Sequence, residues 1–458
     1  MAKNPAQIQL DLKVSGDPTK DFFITMLIKD ISLKDAIGDL VDNSVDAIKS
    51  KAKKEDLTGY YIEINSDGKS FEINDNGSGI EEQVARKYAF KLGKPKEHKL
   101  LKHSIGRFGI GMKRAFFKLG NDIHVESIAP KSRFVIDIPV NNWRKLESEW
   151  DFKFSSVIPS EINADDITGT KIIIKDLAED ARDSFKKIQF ENDLIDEIGR
   201  EQILNIDRGL IIKINGNQLK PDQIKLKYDD DVRPAFWKHT FKHTNAETKK
   251  IEDLNVEILA GIGNEVEDEG GWNIFCNDRL IIDRDATAIT GWTGAGGDGV
   301  AKYHQQFWGF RGYVFFSSND SALLPWNTTK TGIDPESADY IAVRKKMIEL
   351  MKDVFLLLNR QKKEREKDNP QKDQILNNKI IASANVPILT IMKEKTKLTP
   401  KFQFPNVINA VNESDLQIIR YKVPKVKFNN AKKAIGGISA NDVGSKTFDY
   451  FYDNEVGD

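Results

Sequence analysis

The chain has one cysteine, Cys276, among 458 residues, which excludes a disulfide framework or a cysteine-rich zinc module built from this chain alone. That cysteine reads as a small buried apolar side chain. Histidine is sparse too, with six in all. His239 and His243 stand at the i, i+4 spacing of a helix face, but no Glu follows the first as in an HExxH metal motif, so they read as surface residues. Long apolar runs are missing: nowhere do about 18 apolar residues stand together. The opening MAKNPAQIQLDLKVSGDPTK carries no signal-length apolar stretch. The expectation is a soluble, cytoplasmic protein with no membrane partner. Net charge is lacking as well, with 69 Lys+Arg against 70 Asp+Glu, so any nucleic-acid contact must come from a local patch. No internal repeat is visible.

What is present suggests two or three domains, at about 100–200 residues each. Residues from about 32 to 220 alternate helical and strand-like stretches with Gly-rich joints, the pattern of one α/β domain. Its strand candidates are Tyr60–Ile64, Phe71–Asn74, Ile123–Ser127, Phe134–Ile138, Lys171–Lys175 and Leu210–Ile214, the last ending in the turn pair Asn215-Gly216. Such hairpins predict a mixed or antiparallel sheet. From about 221 to 358 the strands Asn273–Cys276, Leu280–Asp283 and Tyr313–Phe316, the Gly-rich stretch Thr290–Gly299 and a helix over Ala338–Leu358 read as a second α/β domain. Residues 359–458 read as a basic linker and a small appendage or tail. Within them, 361–440 hold sixteen Lys/Arg against seven Asp/Glu.

Four segments carry the chemistry. Ser32, with Asp35 three residues later, marks a helix start, and the helix is expected over about Leu33–Lys51. Leu33, Ile37, Leu40, Val41, Ser44 and Ile48 fall within one arc, whereas Asp39, Asn43 and Asp46 line up on the opposite side. Short side chains there suit a ligand pocket. Next, FEIN leads into Asp75-Asn76-Gly77-Ser78-Gly79, where Gly77 and Gly79 permit a tight turn beside the Asp75 carboxylate. Gly106-Arg107-Phe108-Gly109-Ile110-Gly111-Met112-Lys113 then opens a helix whose N–H groups can receive phosphates. Thr168-Gly169-Thr170 precedes the strand KIIIK. Each motif alone is weak; four in this order are strong.

GDLVDNSVDA, DNGSGI, GRFGIGMK and TGT together resemble the Asn-bearing helix and three glycine boxes of the superfamily that joins gyrase, the heat-shock chaperone, histidine kinases and MutL, the GHKL ATPases, and most closely the MORC-type branch. The resemblance covers roughly residues 30–175. It implies an α+β sandwich of the Bergerat type that binds ATP with Mg²⁺. Asn43 would coordinate the metal, Asp75 would accept a hydrogen bond from the adenine amino group, and Thr170 would support that contact. Gly106, Gly109 and Gly111 would shape the lid over the phosphates, with Lys113 near them. The family usually has Glu four residues before the Asn, and here that position is Asp39, one methylene shorter. As general base it predicts slow hydrolysis. GWNIFCNDRLI (271–281) and LPWNTTKTG (324–332) resemble the transducer of MORC proteins, a domain of left-handed-crossover type. Lys330 would then be delivered to the γ-phosphate.

The resemblance further implies ATP-dependent homodimerisation through the segment before residue 30, a clamp opened by hydrolysis. Double-stranded DNA is one expected client, since Lys-rich stretches at 391–401 and 422–433 are interleaved with Phe402, Phe404, Tyr421 and Phe428. The alternatives are a chaperone-like or adaptor ATPase that engages a protein through its C-terminal segment, and a nucleotide switch that does not hydrolyse. A histidine kinase would need a His-bearing dimerisation helix where the transducer-like segment stands. A gyrase-like topoisomerase would need more chain than remains.

Overall fold

The structure, a computed structural model, describes residues 18–52, 55–91, 105, 110–146, 149–159, 167–220, 223–245, 249–294, 297–327, 329–365, 374–405, 418–435 and 439–455. It divides into two compact units, Met1–Pro405 and Asn406–Asp458.

The first unit begins with helices Lys20–Ile28 and Leu33–Ala52. The second of these starts at a reciprocal cap: the Asp35 N–H donates to Ser32 Oγ at 3.0 Å, and the Ser32 N–H returns to Asp35 Oδ2 at 3.3 Å. An eight-stranded sheet follows, built from β1 (Tyr61–Ser66), β2 (Phe71–Asp75), β3 (Gly120–Ala129), β4 (Ser132–Pro139), β5 (Phe154–Pro159), β6 (Gly169–Leu177), β7 (Ile211–Ile214) and β8 (Asn217–Gln218). Their order is β5-β4-β3-β6-β2-β1-β7-β8. All neighbours are antiparallel except β1 and β7, which pair in parallel, so the sheet is mixed. Period-two alternation explains the core: Ile62, Ile64, Phe71, Ile73, Ile123, Val125, Ile172, Ile174, Ile212 and Ile214 are buried, with more exposed residues between them. The Leu33–Ala52 helix packs against β2 and against helix Gly111–Leu119.

The second sheet has five strands in the order β10-β11-β14-β12-β13. These are β10 (Ala235–Thr244), β11 (Ile251–Ile262), β12 (Gly271–Cys276), β13 (Arg279–Asp285) and β14 (Phe310–Ser318). β12 and β14 are parallel neighbours, and residues 286–309 carry the chain from β13 past β12 to β14. Two expectations need correction here. His239 and His243 lie on a strand, not a helix: His239 stacks on Trp237, and His243 Nε2 is 2.9 Å from Asp339 Oδ2. The C-terminal helix of the second region does not stop at 358 but runs over Ala338–Arg365.

Residues 374–405 also belong to the first unit. Strand β15 (Asn385–Pro387) pairs with β9 (Lys225–Lys227), and the following helix, Ile388–Lys393, inserts Ile388 and Ile391 beside Leu226, Phe236, Leu259 and Phe275. Val386, Leu389, Met392 and Leu398 of the same segment pack against that cluster, so apolar burial holds the segment in place. In the second unit, helices Lys425–Ile435 and Ala440–Glu455 pack against each other. Among the described residues no helix is long and apolar enough to cross a membrane.

Candidate functional site

Sheet register alone brings one end of the site together. Asp75 ends β2 directly opposite Thr170 on β6, and Thr170 is opposite Ser127 on β3. The Asp75 carboxylate accepts from the Ser44 hydroxyl at 2.8 Å and from the Gly77 N–H at 2.9 Å. The Thr168 hydroxyl donates to the Gly77 carbonyl at 2.6 Å, and the Ser127 and Thr170 hydroxyls lie 3.2 Å apart. The loop after β2 must run close to β3. At Gly79, where φ is +67°, a Cβ would stand 2.1 Å from the Ile128 carbonyl oxygen, so only glycine fits. Burial pushes the Asp75 carboxyl up to about 6, against the opposing pull of its Gly77, Ser44 and Thr170 hydrogen bonds.

The other end is ionic. Asp39, only 5% exposed, faces Arg114 Nη2 at 2.7 Å with one oxygen and Lys330 Nζ at 3.0 Å with the other. Lys330 Nζ also reaches Asp42 Oδ2 at 2.7 Å. The remaining Asp42 oxygen accepts from Gln202 Nε2 and from Arg279 Nε, each at 3.0 Å. Arg279 Nη2 holds Glu201 at 2.7 Å. Burial alone would raise the Asp39 carboxyl, but Lys330 and Arg114 outweigh it and hold Asp39 below its ordinary value. Burial likewise works against the Lys330 ammonium, which Asp42 and Asp39 keep above the usual lysine value. Burial pushes Glu201 up to about 7 in spite of Arg279. Gly111 opens its helix against this cluster, and a Cβ there would meet Asp39 Cγ at 3.0 Å.

The remaining expected residues sit as follows. Asn43 is on the same helix with its side chain exposed, one turn from Asp39. Asp46 accepts the Ile105 N–H with both oxygens, at 2.9 and 3.0 Å, and burial pushes its carboxyl up to about 6. It therefore anchors the residue just before the second glycine box. Lys113 is buried, donates to the Ala89 carbonyl at 2.9 Å, and is pulled down to about 8 by burial. Gly106 and Gly109 lie outside the described residues.

Sequence reading did not single out Asp42, Arg114, Glu201, Gln202 or Arg279. Asp42 had a local signal, standing one helical turn from Asp39 within the same motif; the others are partners distant in sequence. Among the described residues no group of three or more His, Cys, Asp and Glu side chains is arranged to hold a metal ion. The single amide oxygen of Asn43 suits Mg²⁺, a hard cation that keeps waters and shares its ligands with substrate phosphates.

Residues 31–172 match the family described as Histidine kinase-, DNA gyrase B-, and HSP90-like ATPase. All four motif segments lie inside that match, which supports the GHKL superfamily and an ATP-binding domain of ATPase type. The mixed α/β architecture with its large sheets is consistent with that fold. No curated protein matches the chain.

Proposed function

We propose that this protein is a slow, Mg²⁺-dependent ATPase of MORC-like type, in which residues up to about 220 bind the nucleotide and the region from 221 onward reads its terminal phosphate. The observation that carries this reading is Lys330 Nζ, brought from beyond the second sheet to 3.0 Å from Asp39 and 2.7 Å from Asp42. Adenine would lie at Asp75, Gly77, Gly79 and Thr170, and phosphate at the Asp39 end. Gly111 and the glycine box before it would cover the phosphates. Asn43 would hold Mg²⁺, which when bound screens the phosphate charge.

Without nucleotide, Lys330 neutralises two carboxylates. A γ-phosphate competes for the same ammonium, and its capture would free one Asp39 oxygen to orient water. A carboxylate still paired with Arg114 is a weak proton acceptor, which supports slow turnover. The connection between β13 and β14 is where the left-handed crossover of a transducer would lie.

The wider role is an ATP-dependent dimerising clamp on double-stranded DNA. Supporting the dimer, Phe22 and Met26 are 60% and 51% exposed one turn apart on the first helix. Supporting DNA, residues 418–435 hold Arg420, Lys422, Lys425, Lys427, Lys432 and Lys433 with no Asp or Glu. Light scattering on Asp39→Ala tests the clamp: ATP is expected to accumulate a dimer without turnover, and a monomer under saturating ATP would refute it. ATPase rates with and without double-stranded DNA test the client. A rate indifferent to DNA together with no retardation of a duplex would remove DNA from the proposal.

A further inference from the structure

Arg279 is 3% exposed and begins β13 immediately after a turn in which Asn277 and Asp278 both have positive φ, +48° and +71°. That turn is itself fastened: Asp278 Oδ2 lies 2.8 Å from both Lys49 Nζ and Arg208 Nη1. From this fixed base the guanidinium reaches three acceptors in different parts of the chain. Nε donates to Asp42 Oδ1 at 3.0 Å, Nη2 to Glu201 Oε1 at 2.7 Å, and Nη1 to the backbone carbonyl of Lys330 at 2.9 Å.

Lys330 has φ +60°, in the left-handed region that a lysine rarely adopts. Its turn is closed by Lys330 N–H to Asn327 O at 3.2 Å and Asn327 N–H to Gly332 O at 2.9 Å. In the cluster Arg114, Arg279 and Lys330 face Asp39, Asp42 and Glu201. Within it, Arg279 holds one oxygen of Asp42 and Lys330 the other. Arg279 therefore keeps Asp42 in place whether or not the lysine is on it.

We propose that Arg279 is the positioning residue for Lys330: one guanidinium fixes both the backbone from which the lysine side chain springs and the carboxylate that receives its ammonium. The inference rests on the reading of Lys330 as the residue that meets the terminal phosphate. Arginine is required because a planar fork serves three acceptors at once, whereas a lysine ammonium is a point charge on a flexible stem.

Steady-state ATPase kinetics and ADP titration on the full chain test this. Arg279→Ala is expected to lower kcat by the same order as Lys330→Ala, with ADP affinity within about twofold of the parent, because the fault lies at the phosphate end. Arg279→Lys should not restore the rate. The double variant Arg279→Ala/Lys330→Ala should be no slower than Lys330→Ala alone, since two residues acting through one group are not additive. Multiplying rate losses, or a parental rate in Arg279→Lys, would overturn the assignment. If Lys330→Ala itself turns over at the parental rate, the reading of Lys330 falls first and this inference with it, a different signature from failure of Arg279 alone. Should Arg279→Ala not fold, Glu201→Ala carries the test, since a glutamine would keep the Oε1 acceptor. It loosens only the third tooth of the fork, and is expected to slow turnover several-fold in the parent and not at all in Lys330→Ala. An unchanged kcat in the parent background would overturn the proposal.

Discussion

The two ends of the candidate pocket are held together by different physics. At Asp75 the partners are hydroxyls and N–H groups from the adjoining helix and from neighbouring strands of one sheet, placed there by strand register. At Asp39 every close partner is a charge, and the partners come from helices far apart in sequence and from beyond the second sheet. The Asp75 donors are neutral groups fixed by the helix and by strand register rather than by a partner charge, which fits the receptor role proposed for that end. Buried ion pairs are worth much only while paired and can be re-partnered by a competing charge. On the proposed reading, the Asp39 end exchanges partners when phosphate arrives. Perturbing the Asp75 end should therefore change affinity for ATP and ADP alike, and perturbing the Asp39 end should separate them.

The largest effect is expected from Asn43→Ala, which removes the amide proposed to hold Mg²⁺ where no other Asn of that helix face can replace it. Isothermal titration should show loss of Mg·ATP binding, and unchanged affinity would sink the assignment of the whole pocket. Next is Lys330→Ala. Removing one donor aimed at transition-state charge typically costs on the order of 10²–10³ in rate. ADP affinity should stay close to the parental value, because the lysine is proposed to meet only the terminal phosphate. A parental rate would leave the Asp39 end without a function.

Which parts of this were legible follows from the same contrast. The helix at Leu33 was readable because its cap, Ser32 with Asp35, is local, and the Asp75, Gly79 and Thr170 motifs because each is a short strand-turn signature. Strand β10 was misjudged: His239 and His243 are four apart, a spacing that fits a helix face, but Trp237, His239, Phe241 and His243 also alternate with Lys238, Thr240 and Lys242, the period of a strand. Arg279 stood inside the segment GWNIFCNDRLI, but its pairings, like those of Glu201 and Arg114, carried no signal, because an ion pair between residues 75 to 237 positions apart leaves no periodic trace in the chain. Ile388 and Ile391 stand in a short apolar stretch, Val386–Met392, that the basic composition around it masked.

A smaller effect is expected at the receptor end. Asp75→Asn replaces an acceptor with an amide that can point a donor at the adenine amino group. An unmet buried donor costs about 1–3 kcal/mol, or roughly ten- to a hundredfold in affinity. The loss should be the same for ATP and ADP. A variant that weakens ATP and spares ADP would erase the distinction between the two ends.

The smallest effect is a pH dependence, and it separates the two ends without any change in the binding motif. Burial pushes the Asp75 carboxyl up to about 6, whereas Lys330 and Arg114 keep Asp39 ionised well below that range. The carboxylate offers an amino group only acceptors; the protonated acid carries an O–H donor on one oxygen and is the weaker partner. On the proposed reading, adenine recognition is expected to be strongest above about pH 7 and to weaken as pH falls through 6, since binding favours the ionised form. One titrating group near 6 predicts an affinity about tenfold weaker at pH 5 than at pH 7.5. The nucleotide phosphates and Asp46, also near 6, titrate in the same interval, so the informative quantity is the difference between the parent and Asp75→Asn, titrated with ADP at both values. The variant should lose about that tenfold factor and keep whatever remains. Equal pH dependence in the two proteins would show that the proton sits elsewhere and that Asp75 meets the nucleotide, if at all, in a form already ionised.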